Sequence, residues 1–506
     1  MRTRQALKNL IASLLLQIVT AVSGILVPRF FTALYGSAVN GLVSSISQFI
    51  TYISLVEAGI GAAGTVALYG PLAREDKEEI NSIVSAARAF YLRSGLIFAG
   101  LVAALVLLYP GLVSDEIQNA GFVRTMILVL SVNGIVDYFF LGKYRVLLQA
   151  DQRSYVISVA HIVGTIVMTV VSLQLIKMGV SALWVKGTTA CIYLLRSFAV
   201  AFYVRRHYVW VSFKERPKMS AFDQRWAALL HQVVGMVVNN AAVVLLTLFV
   251  KADALVEVSV YSVYNLVGAS LVALLNSISN GLSAGFGQII SQGEEKILRR
   301  SYSSYEFLYF VVIYIAYACM AVLIMPFICL YSGDFADSQI YIRAELAALF
   351  VVAGLLQSIR QSGLTVICAA GQYKQTQGRA ILEAFINIAV SLLLIGKLGV
   401  NGVMIGICAS YLYRTADVIV YTARHFVRGS LRHTVKRLAV NSLTFAVAVH
   451  LGMMLVPRVM SGWGAWFGYA VVYGVCCCVV FAGANFIADW QEGEVLFQRV
   501  KDLLGL

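Results

Sequence analysis

Residues 41–69 read GLVSSISQFITYISLVEAGIGAAGTVALY, and residues 70–81 continue GPLAREDKEEIN. The first run is apolar and longer than the roughly 20 helical residues that cross a bilayer's hydrocarbon core. It carries one carboxylate, Glu57, near its middle, and is expected to end at Gly70-Pro71 before a charged loop. An ionisable group at that depth is costly unless it faces a partner or a cavity. The stretch therefore fixes a class of protein and raises a question about Glu57.

The rest of the chain has the same character. Its 506 residues are 60% hydrophobic and 13% charged, with a mean hydropathy of +0.81. A soluble globular chain carries about 25% charged residues. Apolar runs of spanning length occur in 14 places, roughly 9–31, 42–69, 84–110, 122–147, 155–177, 180–204, 227–250, 259–289, 305–331, 341–367, 380–397, 400–422, 438–457 and 464–488. The expected fold is an all-α polytopic membrane protein with about 14 transmembrane helices. The longest polar interval, around Arg205 to Arg225, is too short for an independent soluble domain.

The net charge of +14 does not indicate nucleic-acid binding, because the basic residues form short clusters between apolar segments. That is the pattern of topology determinants. With the N-terminus in the cytoplasm, the inner loops collect Arg2, Arg4 and Lys8, then Arg74 to Arg93, then Lys143, Arg145 and Arg153. They go on to collect the dense cluster 205–225, then Lys296 to Arg300, Lys374, Arg379, and Arg424 to Arg437. The outer ends receive single charges such as Arg29, Lys186 and Arg343. The alternation holds through all 14 segments and places both termini in the cytoplasm. The outer loops are all short, which leaves no room for the large outer catalytic loop of a membrane glycosyl polymerase or ligase.

All eight cysteines lie inside apolar segments without CxxC spacing, so they read as small core side chains rather than metal ligands or a disulfide framework. The first apolar run is too long for a cleavable signal peptide. No GxxxxGK[ST], GxGxxG, HExxH or GxSxG motif is present, so no nucleotide hydrolysis, enzymatic activity, metal or cofactor is expected.

The chain also repeats itself. At an offset of 220 residues, segments 4 to 6 fall on segments 10 to 12. Gly134 meets Gly354, Val146 meets Val366, Gln152 meets Gln372, and the turn Lys177-Met-Gly-Val meets Lys397-Leu-Gly-Val. An even number of helices per repeat gives two halves of the same orientation, a transporter architecture. The organisation read from this is a six-helix lobe at 1–204, a cytoplasmic linker at 205–226, a second six-helix lobe at 227–422, two added helices within 423–488, and an amphipathic tail at 489–506 lying on the inner membrane surface.

Within that frame a few polar residues stand out. Glu57 is either a proton, cation or charge-switching group, or a structural partner of a neighbouring arginine or of backbone freed near the glycines. Asp137, with Asn133 one turn earlier, corresponds in the repeat to Gln357, with Arg360 one turn later. These polar stripes face a cavity, form a static ion pair, or let Arg360 snorkel. Arg29, Arg88, Arg93, Lys186 and Arg360 can hold an anionic headgroup, and each is also a plausible topology anchor. Asn239, Asn240, His161, His231 and the i,i+3 pair Arg414 and Asp417 are read as structural.

The N-terminal stretch resembles bacterial polysaccharide (O-unit type) flippases of the multidrug/oligosaccharidyl-lipid/polysaccharide exporter superfamily. The residues that carry this are Tyr35-Gly36, Asn40-Gly41, Glu57-Ala-Gly59-Ile60-Gly61 and Leu68-Tyr69-Gly-Pro71-Leu72-Ala73, with VSVYSVYNLV at 258–267. Relatives often carry Asn-Thr-Asp in the seventh helix, where this chain has Asn240-Ala241-Ala242. An aspartate-based coupling site there would be missing.

The resemblance implies a multi-pass inner-membrane protein that moves an undecaprenyl-pyrophosphate-linked oligosaccharide by alternating access. It would work amid membrane lipids and beside a polysaccharide polymerase and glycosyltransferases. An ion gradient or the membrane potential would drive it, a charge being worth about 2.3 kcal/mol per 100 mV. The alternative is an exporter of drugs or other small molecules driven by H+ or Na+.

Overall fold

The computed structural model describes residues 2–57, 59–213, 215–222, 225–427, 431–490 and 494. The described residues form helices and no strand. In chain order these are α1 (Arg2–Tyr35), α2 (Ser37–Ile53), α3 (Ile60–Arg74), α4 (Lys77–Leu112), α5 (Ala120–Val136), α6 (Gly142–Ala150), α7 (Ser154–Lys177) and α8 (Ala182–His207). They continue with α9 (Arg225–Phe249), α10 (Ala254–Ser291), α11 (Glu295–Ser332), α12 (Ala344–Ala369), α13 (Tyr373–Thr422), α14 (Leu431–Leu455) and α15 (Trp463–Ala488). The expected tail lies outside the described residues from position 491 on, apart from Glu494.

Among the described residues, 12 helical stretches are long and apolar enough to cross a bilayer. One of them, Gln375–Val427, is 53 residues long, far more than one pass needs. Gly399 interrupts it with non-helical backbone (φ 52, ψ −129), so it makes two passes. The 25-residue α9, whose described apolar part is Asn240–Phe249, occupies the place of the seventh of the 14 segments counted in the sequence. Large apolar side chains face outward along these helices, with Leu107 and Leu108 both 72% exposed. Such surface is stable only against lipid. The protein is a multi-pass membrane protein.

The opening stretch is not one helix. A 3-10 turn at Ser54–Glu57 separates α2 from α3, and Gly59 begins α3 in the left-handed region (φ 84), where an L side chain is strained. Backbone carbonyls released by the break are taken up by neighbours: Tyr138 Oη donates to Ser54 O at 2.9 Å, and Ser94 Oγ to Val56 O at 3.3 Å. That satisfies the requirement for internal pairing inside a membrane. Nor does Gly70-Pro71 end the helix, because α3 runs on through Pro71 to Arg74. The turn after it is capped by Asp76, whose side chain accepts the Glu79 N–H at 2.9 Å.

The chain divides into two compact units, Met1–Ser259 and Val260–Leu506. In the first, α1 packs on α7, α7 on α8, and α4 on α3 and α5, while α9 packs on α2 and α3. Small groups let α2 come close to α9 and to the start of α10. Asn40 donates to Ser259 Oγ at 2.8 Å, Ser45 and Thr247 hydroxyls are 2.7 Å apart, and a Cβ on Gly41 would fall 1.7 Å from the Leu255 carbonyl oxygen. Two of the motifs singled out in the sequence, Asn40-Gly41 and the stretch from Val258, therefore meet in space. Residues 215–222 fold back on the start of α4, with Lys218 2.7 Å from Glu79 and Ser82 donating to Arg216 O at 2.6 Å.

In the second unit α11 is the centre, packing on α12, α14 and α15. Arg437 of α14 pairs with Glu306 of α11 at 3.2 Å and with Asp489 after α15 at 2.9 Å. Asn441 and Asn485 exchange amide hydrogen bonds at 2.9 and 2.8 Å between α14 and α15.

The offset of 220 reappears in backbone and packing. Gly179 and Gly399 both take positive φ. Gly134 gives room to the Phe98 ring, and Gly354 gives room to the Tyr317 ring. Stacked pairs Tyr203–His207 and Tyr421–His425, at 4.0 and 4.1 Å, lie near the ends of α8 and α13, two residues short of that offset.

Candidate functional site

Glu57 and Asp137, far apart in the sequence, share one arginine. Arg145 of α6 is 2.9 Å from Asp137 and 4.0 Å from Glu57. Two tyrosines complete the group: Tyr91 of α4 donates to Glu57 at 2.8 Å, and Tyr193 of α8 donates to Asp137 at 2.6 Å.

Local backbone places each member. Glu57 is the last residue of the 3-10 turn between α2 and α3. Asp137 begins a π-helical turn, Asp137–Leu141, between α5 and α6. Such turns insert one residue into a helix and often mark functional positions. Gly142 comes next, and a Cβ there would lie 2.4 Å from the Tyr91 ring. The ring reaches Glu57 only because position 142 has no side chain.

A cavity of about 370 Å³ opens beside Asp137 and Arg145, lined also by Gln149, His161, Tyr193 and Arg196. Arg196 lies over the Tyr193 ring at 4.0 Å, and Gly164 leaves it space. The cavity wall therefore carries a carboxylate, two guanidiniums, an imidazole and a phenol inside one helical unit. It can exchange proton or ion-pair partners, and it can solvate a charged group.

The second unit holds a separate ionic group. Arg360 of α12 bonds Glu383 of α13, and Arg414 approaches Glu383 at 3.6 Å while bonding Asp417 at 2.7 Å. Arg379 pairs with the other oxygen of Asp417. Arg360 also covers the Tyr411 ring at 4.4 Å. Arg360, Glu383 and Arg414 are all buried.

The remaining sequence candidates are dispersed. Lys186 of α8 lies over the Phe31 ring at 4.5 Å, and Arg29 of α1 lies 5.7 Å from the Phe30 ring, so each cation lies against a phenylalanine in the last turns of α1. Arg88 and Arg93 are exposed on α4, with Arg88 donating to Phe213 O at 3.3 Å. Asn133 is exposed and does not line the cavity. Gln357 is half-buried on α12.

Two members of these groups are not legible as site residues in the sequence: Arg145, which reads there as one of the inner-loop charges, and Glu383. Arg145 is eight residues after Asp137, a spacing that a regular helix would not align. Glu383 did give a signal, a lone acid early in an apolar run, like that of Glu57. His161, read as an ordinary helix-end histidine, lines the cavity.

Sequence comparison matches no protein family and no curated protein. Comparison of structures does find matches. A structure titled as lipid II flippase MurJ in an inward closed conformation superposes with a TM-score of 0.68 at 13% identity, covering 94% of this chain and 98% of that one. An inward-facing multidrug resistance MATE family transporter of the MOP superfamily gives 0.57 at 12% identity over 82% and 96%.

The chain has the fold of the MOP-superfamily transporters.

A MATE transporter of Vibrio cholerae agrees, with a TM-score of 0.55 at 15% identity over 85% and 98%. Within this MOP fold, the Glu57–Arg145–Asp137 group sits at helix irregularities of the first unit. The Arg360–Glu383 group sits inside the second unit.

Proposed function

We propose that this chain is a flippase of the bacterial inner membrane. It carries a polyprenyl-pyrophosphate-linked oligosaccharide across the bilayer by alternating access, for surface polysaccharide synthesis. The observation that carries the reading is the extent of the fold match. The lipid II flippase covers 94% of the chain and the inward-facing MATE transporter 82%. On 506 residues the difference is about 60, the length of α14 and α15 with their connection.

In this reading the repeated six-helix lobes, 1–204 and 227–422, rock about the linker 205–226, with both termini cytoplasmic. Arg29 and Lys186 at the end of α1 hold the pyrophosphate. The Glu57–Arg145–Asp137 group switches ion-pair partners as the lobe changes state, coupled to H+ or Na+ or to the membrane potential. Arg360, already engaged by Glu383, keeps the second lobe rigid unless substrate displaces that partner. Polysaccharide polymerase and glycosyltransferases supply and consume the cargo.

The second reading, an ion-coupled exporter of small molecules, is favoured by the likeness to MATE transporters. Purified protein in liposomes separates the two. Movement of a fluorescent lipid-linked oligosaccharide, lost in Arg29→Ala and Lys186→Ala, supports the flippase. Export of a small cationic dye with no movement of lipid-linked sugar overturns it.

A further inference from the structure

A second cavity, of about 400 Å³, lies on the outer face of the first unit between α5–α6 and α8. Its walls are Phe139, Phe140, Phe198 and Phe202, and its far end holds Lys143 and Arg205. Phe140, Phe198 and Phe202 are 49%, 52% and 65% exposed, so the groove opens to lipid and not into the helical unit. Along α8 it runs from Leu194 to Arg205, about 16 Å at helical rise, roughly half the hydrocarbon thickness.

The two ends differ sharply in chemistry. Among the described residues that line the groove, none is acidic. Lys143 lies over the Tyr144 and Phe213 rings at 5.1 and 5.0 Å, and Arg205 lines the same end of the groove. These cations are mutually repulsive, and no carboxylate of the groove offsets them. An apolar trough ending in clustered lysine and arginine matches one acyl chain joined to a phosphate.

We propose that this groove is a binding site for an anionic diacyl phospholipid of the surrounding leaflet, one acyl chain lying between the phenylalanines and the phosphate held by Lys143 and Arg205. Bulk phospholipid is the occupant because the groove faces the bilayer along its length. The π-helical turn that presents Asp137 to Arg145 also presents Phe139 and Phe140 to the groove, so a bound lipid braces the turn on which the internal ion pair depends. The proposal does not depend on the nature of the transported cargo.

The test is native mass spectrometry of the purified full chain, with phosphatidylglycerol and phosphatidylcholine in competition. Wild-type protein should retain phosphatidylglycerol preferentially. The double variant K143Q/R205Q should lose that preference by roughly thirtyfold, the effect of two surface charges. Ala201→Phe, which fills the groove and keeps both cations, should lose it as well. Circular dichroism should show wild-type helix content in both variants. A third arm adds a polyprenyl phosphate. No preference in wild-type protein, or a preference unchanged in either folded variant, overturns the proposal. So does displacement of phosphatidylglycerol by polyprenyl phosphate at equal concentration, because the groove would then be a path for the cargo lipid. Should either variant unfold, K143R/R205K decides: retained preference supports the site, and lost preference overturns it.

Discussion

Arg145 meets Asp137 at 2.9 Å from eight residues further along the chain. Two turns of a regular α-helix span about seven residues. The π-helical turn Asp137–Leu141 adds the residue that brings position 145 onto the face of position 137. The same guanidinium then reaches Glu57 at 4.0 Å. One inserted residue thus makes a three-member ionic group from charges that a regular helix would have pointed apart.

Removing the arginine should be the most damaging single change in that group. Arg145→Gln leaves two carboxylates facing a low-dielectric interior, a loss on the order of 3 kcal/mol. The triple variant E57Q/D137N/R145Q removes the charge imbalance and should recover much of the unfolding midpoint in detergent, but not transport. A triple variant no more stable than R145Q would refute this account.

The second unit predicts an asymmetry. Glu383 is shared by Arg360 and Arg414, whereas Arg414 also has Asp417. Glu383→Ala should therefore destabilise by about 3–5 kcal/mol, clearly more than Arg360→Ala, which leaves Glu383 its second partner. Comparable unfolding midpoints for the two variants would contradict the geometry.

Two glycines in helices should respond with opposite signs. Gly142→Ala drives a methyl into the Tyr91 ring, 2.4 Å away, and so disturbs the bond to Glu57. A cost of about 1–3 kcal/mol and lost transport are expected. Gly187→Ala meets nothing within 4 Å and should raise stability by up to about 1 kcal/mol through helix propensity. Thermal unfolding of both variants checks the pair.

Glu116, in the loop between α4 and α5, accepts the Leu255 N–H with both oxygens at 3.0 Å, at the start of α10. Burial raises its carboxyl above the ordinary 4.5, outweighing the backbone N–H groups that favour the charged form. The folded chain thus holds this proton more tightly than the unfolded chain. The contribution is complete below the unfolded value and is lost as pH rises through the folded one. Relative to Glu116→Gln, wild-type stability should decline from about pH 4 toward neutrality. Parallel pH profiles would exclude the effect.

The buried Asn441–Asn485 exchange should behave as a coupled pair. Asn441→Leu strands the Asn485 amide and should cost about 1–2 kcal/mol. Adding Asn485→Leu should restore part of that loss. Additive losses in a double-mutant cycle would mean the two amides act independently.

The amino-acid sequence by itself determined the all-helical membrane class, the 14 segments and the 220-residue repeat, because these rest on apolar run length, loop charge and residue matches at a constant offset. It also singled out Glu57, Asp137 and Arg360 as costly groups, since an ion in an apolar run is visible without coordinates. Only the tertiary structure decided their partners. The pairing of Arg145 with Asp137 depends on an irregular turn, and that of Arg360 with Glu383 on packing between α12 and α13. The break at Glu57 likewise arises from Gly59 taking a left-handed backbone, which composition permits but does not require. Hydropathy fixes where a helix crosses, but a helix's rotation about its axis and its local winding are set by its neighbours, and those decide which charges meet.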